Sequence, residues 1–114
     1  MGEMKISASV KPGGIEGVWT QSLAEIATEG GPVLHMLRMD GPLFSSFGEV
    51  YFSIVQPGAV KAWKYHRLQT QNFAVPHGLI EVVLFDGREG SPSKGRLESF
   101  LLGRPENYRL LQIP

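Results

Sequence analysis

From residue 49 to the end, apolar and polar residues alternate in short runs. "EVYFSIV" (49–55), "AVKAWKYH" (59–66), "TQNFAV" (70–75), "LIEVVLFD" (79–86), "RLESFLLG" (96–103) and "YRLLQIP" (108–114) are each of strand length. Pro-Gly, His-Gly, Asp-Gly or a Gly/Ser/Pro cluster separates each run from the next, which is the punctuation of successive strands. "VLHMLR" (33–38) predicts a further strand. The polar, turn-forming "FDGREGSPSKG" (85–95) predicts an exposed loop.

One stretch departs from the period of two. "SLAEIATEG" opens on Ser22, places Glu25 three residues later and closes on Gly30. That is a capping box with a glycine stop, and it predicts a helix of about two turns over residues 22–29. A turn-rich loop competes with it. Many short strands and at most one short helix predict an all-β, antiparallel jelly-roll barrel.

Composition adds bounds to this picture. The 114 residues suffice for one domain. Eleven basic and eleven acidic side chains cancel, so no net field draws the chain to nucleic acid or an anionic membrane. Zero cysteines exclude disulfides, a thiol nucleophile and thiolate zinc sites, and suit a reducing cytoplasm. No apolar run reaches the ~20 residues of a bilayer span, and the N-terminus has no secretory pattern. A cytoplasmic protein is expected.

The candidate chemistry lies in "GAVKAWKYHRLQTQNFAVPHG", Gly58 to Gly78. On a strand over 59–66, Lys64 and His66 share one face, and Lys61, Trp63 and Tyr65 the other. If 59–66 and 70–75 pair as a hairpin, Lys64, His66 and Gln71 converge at the barrel mouth. Alternation alone leaves the opposite reading open: Lys64, His66 and the adjacent Arg67 would be a solvated basic patch. His77, in a turn, and His35, in an apolar run, are read as structural.

The spacing of this stretch is similar to the first cupin signature, Gly-x5-His-x-His-x3–4-Glu-x6-Gly. Lys64 and Gln71 stand in two of the three ligand positions. A metal-dependent cupin needs two or three His/Glu ligands at one place, so no metal is expected. No Gly-x-Ser-x-Gly elbow or phosphate loop occurs.

More specifically, the chain resembles the dTDP-4-dehydrorhamnose 3,5-epimerases and the related dTDP-sugar 3,4-ketoisomerases. The matching segments are "FGEVYFSIVQPGAVKAWKYH", "QTQNFAV", "GLIEVVLFDGREGSPSKG" and "ENYRLLQIP". They include an Asp-x-Arg before a Ser-Pro loop and a strand ending Ile-Pro. The resemblance implies a homodimeric jelly roll that abstracts a proton beside the 4-keto group of a sugar nucleotide, without metal or other cofactor. It places Lys64 at the catalytic histidine and His66 at the second histidine of the ketoisomerases. Lys61 falls on the basic residue three positions earlier. Gln71, Glu49, Tyr51 and Ser53 fall on substrate contacts.

Three departures qualify the resemblance. A lysine stands where the family has its base. "TEGGP" replaces the family's Asp-x-Arg-Gly turn, with Gly30 in the arginine's place. Residues 1–114 read as a single cupin-like domain lacking the family's C-terminal strands, which carry a further histidine and the catalytic tyrosine. The expected function is that of a sugar-nucleotide epimerase or isomerase with weak or absent catalysis. The alternative is a non-catalytic cupin module that binds a sugar nucleotide or a protein partner.

Overall fold

The structure, a computed structural model, describes residues 9–114. The chain is an all-β jelly roll, and every strand pairing among the described residues is antiparallel. Strands β1 (Val10–Pro12), β2 (Trp19–Ser22), β8 (Arg109–Ile113) and β5 (Gln71–Phe73) form one sheet in the order β1-β2-β8-β5. Strands β6 (Leu79–Phe85) and β7 (Leu97–Gly103) form a second, and β3 (Glu25–Ile26) with β4 (Val33–Leu34) a short third.

The hairpin β6–β7 follows the alternation closely. Ile80, Val82 and Leu84 sit half-buried between exposed Leu79, Glu81, Val83 and Phe85. Across the ladder they meet Leu102, Phe100 and Glu98 in register. Their inner face packs on Leu111, Phe73 and Ile113 of the four-stranded sheet, and Ile15 and Val18 close the core. Leu102 and Leu111 are completely buried. Each contributes roughly 1.5–3 kcal/mol through loss of apolar surface from water.

The loop over 85–95 is exposed for most of its length, but it hangs from a buried anchor. Asp86 is 3% exposed. Its carboxylate accepts from Arg88 Nε at 2.9 Å and from the Ser91 and Ser93 hydroxyls, each at 2.6 Å. The Arg88 hydrogen bond, followed by those of the two serines, holds this carboxyl well below the usual carboxylate range despite its burial. Arg88 also donates to the Glu16 carbonyl at 2.7 Å, and the Ser93 hydroxyl accepts from Glu16 N at 2.8 Å. Glu98 accepts from Gly14 N at 2.8 Å and Ile15 N at 3.0 Å. The turn before β2 is thereby latched to the β6–β7 loop, which joins the two sheets at one end.

Three expectations are corrected. Residues 22–29 form no helix, and no helix occurs among the described residues, so none there could cross a membrane. Ser22 ends β2, and its N–H bonds to Ser9 O at 3.1 Å, while Leu23 N bonds to Tyr108 O at 3.2 Å. The donors of the expected first turn are thus taken by strand neighbours. Glu25–Ile26 instead pairs with Val33–Leu34 around a turn where Gly30 and Gly31 take φ of 91° and 142°. Only Val33–Leu34 of the expected 33–38 strand joins a ladder.

The second correction concerns 49–55 and 59–66, which join no ladder among the described residues. The third follows from it: β5 pairs with β8 rather than with 59–66. The sequence "KISASV" (5–10) also suggests an added N-terminal strand, and it lies mainly outside the described residues. Val10 opens β1.

Candidate functional site

Gln56-Pro57-Gly58-Ala59 is a tight turn in which Ala59 N donates to Gln56 O at 2.9 Å and Gly58 has φ of 80°. Proline before a residue with positive φ fits a type II turn. This turn joins two arms, 49–55 and 59–66, that carry most of the candidate residues. The arms are tied by a side chain. Lys61 Nζ donates to Ser53 Oγ at 2.6 Å and to the Ile54 carbonyl at 3.0 Å. Two residues expected to contact substrate are therefore together. The Ile54 carbonyl is a participant that side-chain patterns had no means of showing.

His66 and Gln71 also meet. Gln71 Nε2 lies 3.1 Å from His66 Nε2. An amide nitrogen can only donate, so His66 Nε2 accepts and the ring proton resides on Nδ1. The pair forms across the short 66–71 connection instead of across the expected hairpin. Gln71 is held at the start of β5, opposite Ile113 of β8. His66 is exposed.

Among the described residues Lys64, Glu49 and Tyr51 make no hydrogen bond or ion pair, and all three are exposed. In this single chain Lys64 and His66 face solvent rather than an enclosed cavity. Of the seven candidates, the structure joins Ser53 to Lys61 and His66 to Gln71, and leaves the other three free. Between Glu49 and Glu81 there is no carboxylate, whereas Lys61, Lys64 and Arg67 are cationic. The arrangement can attract an anion, offer ammonium and imidazole Nδ1–H donors, and present Tyr51 as a flat contact. Among the described residues no three His, Cys, Asp or Glu side chains are placed to hold a metal ion.

A cavity of about 360 Å³ lies elsewhere, lined by Trp19, Leu43, Phe44 and Gln112 among others. Gln112 Nε2 donates to the Leu43 carbonyl at 2.6 Å and to Asn72 Oδ1 at 3.0 Å, which pins the 42–45 segment over the sheet. None of the candidate residues lines it. His35 is half-buried, and its backbone carbonyl accepts from the Tyr108 hydroxyl at 2.7 Å. His77 lies exposed in the turn before β6.

No protein-family model matches the chain. A crystal structure of a dTDP sugar isomerase from Desulfovibrio desulfuricans G20 superposes with a TM-score of 0.86 at 64% sequence identity. The match covers 88% of this chain and 64% of that one. The spore coat polysaccharide biosynthesis protein SpsL of Bacillus subtilis (strain 168) is 35% identical over 100 residues, 88% of this chain and 66% of that protein. The probable low-salt glycan biosynthesis epimerase Agl13 of Haloferax volcanii is 33% identical over 102 residues, covering 88% and 65% of the two chains. The chain belongs to the dTDP-sugar epimerase-like family. It spans just under two thirds of the length of these relatives.

Proposed function

We propose that this chain binds a dTDP-4-keto sugar of glycan precursor synthesis, as a homodimer in the cytoplasm, with weak or absent epimerase or isomerase turnover. The observation that carries the reading is the Gln71–His66 contact beside Lys64, in a chain 64% identical to a dTDP sugar isomerase. Lys61 and Lys64 supply charge for the diphosphate, and Gln71, Ser53, Tyr51 and Glu49 supply polar contacts to the sugar and nucleotide. Charge-assisted hydrogen bonds to phosphate are among the strong ones.

The chemistry to be performed is removal of a proton from the carbon beside the 4-keto group, giving an enolate, and its return to carbon. A base with an open lone pair is required. A lysine at the base position is suited to stabilising an enolate by charge and hydrogen bonding rather than to starting its formation. The Nε2 lone pair of His66 is already engaged by Gln71. Both candidate bases are therefore poorly placed for abstraction, which supports binding in preference to turnover. NMR of a dTDP-4-keto sugar in heavy water tests this: deuterium should enter C3 and C5 no faster than without protein. Rapid wash-in that is lost in Lys64→Ala would make the lysine a working base and overturn the reading.

The second reading is a non-catalytic cupin module for a protein partner. Its support is the apolar exposure of the same arms, where Phe52 is 90% and Tyr65 81% exposed.

A further inference from the structure

Gln112 sits on β8 between Trp19 of β2 and Asn72 of β5. Its strand neighbours Leu111 and Ile113 pack into the core beneath β6–β7, so alternation turns Gln112 to the opposite face, against the 42–45 segment. A primary amide carries two N–H donors on one nitrogen, and here both are spent. One goes to the Leu43 carbonyl at 2.6 Å and the other to Asn72 Oδ1 at 3.0 Å. A carbonyl can only accept, so the nitrogen of Gln112 and not its oxygen faces Leu43.

These two acceptors bracket the candidate site along the chain. Leu43 precedes the 49–55 arm, and Asn72 directly follows Gln71, which meets His66. Among the described residues, the 45–70 segment between them has a single backbone–backbone hydrogen bond, from Ala59 N to Gln56 O. Its side-chain ties run from Lys61 to Ser53 and Ile54, joining arm to arm, and from His66 to Gln71, joining the second arm to β5. The exit at β5 is secured by its ladder with β8. The entry has no ladder. Its turn bond, Phe44 N to Gly41 O at 3.3 Å, stays within the segment, so among the described residues the Gln112 bond is the hydrogen bond that ties the entry to the sheet.

We infer that Gln112 is a positioning residue for the candidate site: touching no ligand, it holds the entry of the first arm against the strand that presents Gln71. The effect passes from Leu43 into the 49–55 arm, across the Lys61–Ser53 tie to the 59–66 arm, and so to the His66–Gln71 contact. Asn72 is the second acceptor, which keeps the amide nitrogen turned towards Leu43. The consequence for ligand rests on the reading of the arms as a sugar-nucleotide site, whereas the consequence for His66 belongs to the free chain. A purely structural hydrogen bond would add stability and leave the His66 ring alone.

Nitrogen-15 NMR of the His66 ring in the ligand-free chain separates the two roles, with its signals assigned by their absence in His66→Ala. Gln112→Met is close in size and removes both donors. Gln112→Glu keeps the shape but sets a carboxylate against the Leu43 carbonyl, while the Asn72 amide can turn to donate to it. Both variants should keep the far-ultraviolet circular dichroism spectrum, because the volume is conserved, and should shift His66 from the Nδ1–H tautomer towards a mixture. Val82→Ala, on the core side of β6, should lower the thermal midpoint and leave the His66 spectrum as it was. An unchanged His66 spectrum in either Gln112 variant that folds, loss of the fold in both, or an equal change in Val82→Ala would overturn the inference. Calorimetric titration of the same variants with a dTDP-sugar should give affinities roughly 2- to 30-fold below that of the unaltered chain, the range over which a remote contact biases a site. Unaltered affinity beside an altered His66 spectrum would overturn the link to the ligand. Absence of binding by the unaltered chain would contradict the sugar-nucleotide reading, and the His66 result would still decide the role of Gln112.

Discussion

Gln71 donates its side-chain amide to His66 Nε2 across 3.1 Å, and so decides which ring nitrogen of His66 bears the proton. The imidazole presents Nδ1–H outward as a donor and keeps Nε2 occupied. Nitrogen-15 NMR of the ring should show the Nδ1–H tautomer in the neutral protein. Gln71→Ala should release Nε2 and shift the spectrum towards a mixture of the two tautomers. Finding Nε2–H predominant in the unaltered chain would contradict the contact.

The Asp86 anchor predicts a loss of stability in acid. Its carboxyl titrates well below the usual carboxylate range in the folded chain, chiefly because Arg88 donates to it. A group with a depressed folded pKa stabilises the fold above its unfolded value, near 3.9, and loses that contribution as pH falls towards the folded value. Asp86→Asn should cost about 1–3 kcal/mol at neutral pH. Its urea midpoint should then vary less than the wild type's below about pH 4. Equal acid sensitivity in both proteins would mean that Asp86 is not the responsible group.

Gly103 closes β7 against β6 at very short range. A Cβ placed there would lie 2.3 Å from the Gly78 carbonyl oxygen and 2.8 Å from Leu79 Cα, and its φ is 154°. Both obstacles are backbone, so nothing can swing aside. Gly103→Ala should destabilise the chain by about 2–3 kcal/mol, visible as a lower thermal midpoint. A neutral result would show that the ladder end gives way freely.

Leu111 is completely buried where β8 meets Phe73 and Val18 beneath β6–β7. Leu111→Ala should cost about 2–5 kcal/mol in chemical denaturation. An effect under about 1 kcal/mol would place the centre of the core elsewhere.

The sequence made the β6–β7 hairpin legible because its alternation is strict and both strands are present to pair. Leu79–Phe85 and Leu97–Gly103 lie within a residue of the expected runs. The arms 49–55 and 59–66 alternate just as well, but periodicity describes faces and says nothing of whether a neighbouring edge exists. Ser22 carried a sound capping signal, yet its N–H was claimed by Ser9 O across the sheet, a long-range competitor invisible to a local motif. Asp86 looked like a loop residue because its run is polar, and its burial depends on Ser91, Ser93 and Arg88 folding back over it. At the site, the expected convergence of Lys64, His66 and Gln71 rested on a 59–66/70–75 hairpin that does not form; His66 and Gln71 meet over a loop instead, and Lys64 stays apart. The Lys61–Ser53 tie required knowledge that the Pro57–Gly58 turn brings both arms side by side.

The central claim is that Lys64 holds the anionic part of a sugar nucleotide, and calorimetric titration with a dTDP-sugar measures it most directly. The unaltered chain should bind, and Lys64→Ala should bind about 10- to 150-fold more weakly, the equivalent of a charge-assisted hydrogen bond worth ~1.5–3 kcal/mol. No heat of binding to the unaltered chain, or the same affinity in Lys64→Ala, would contradict the account.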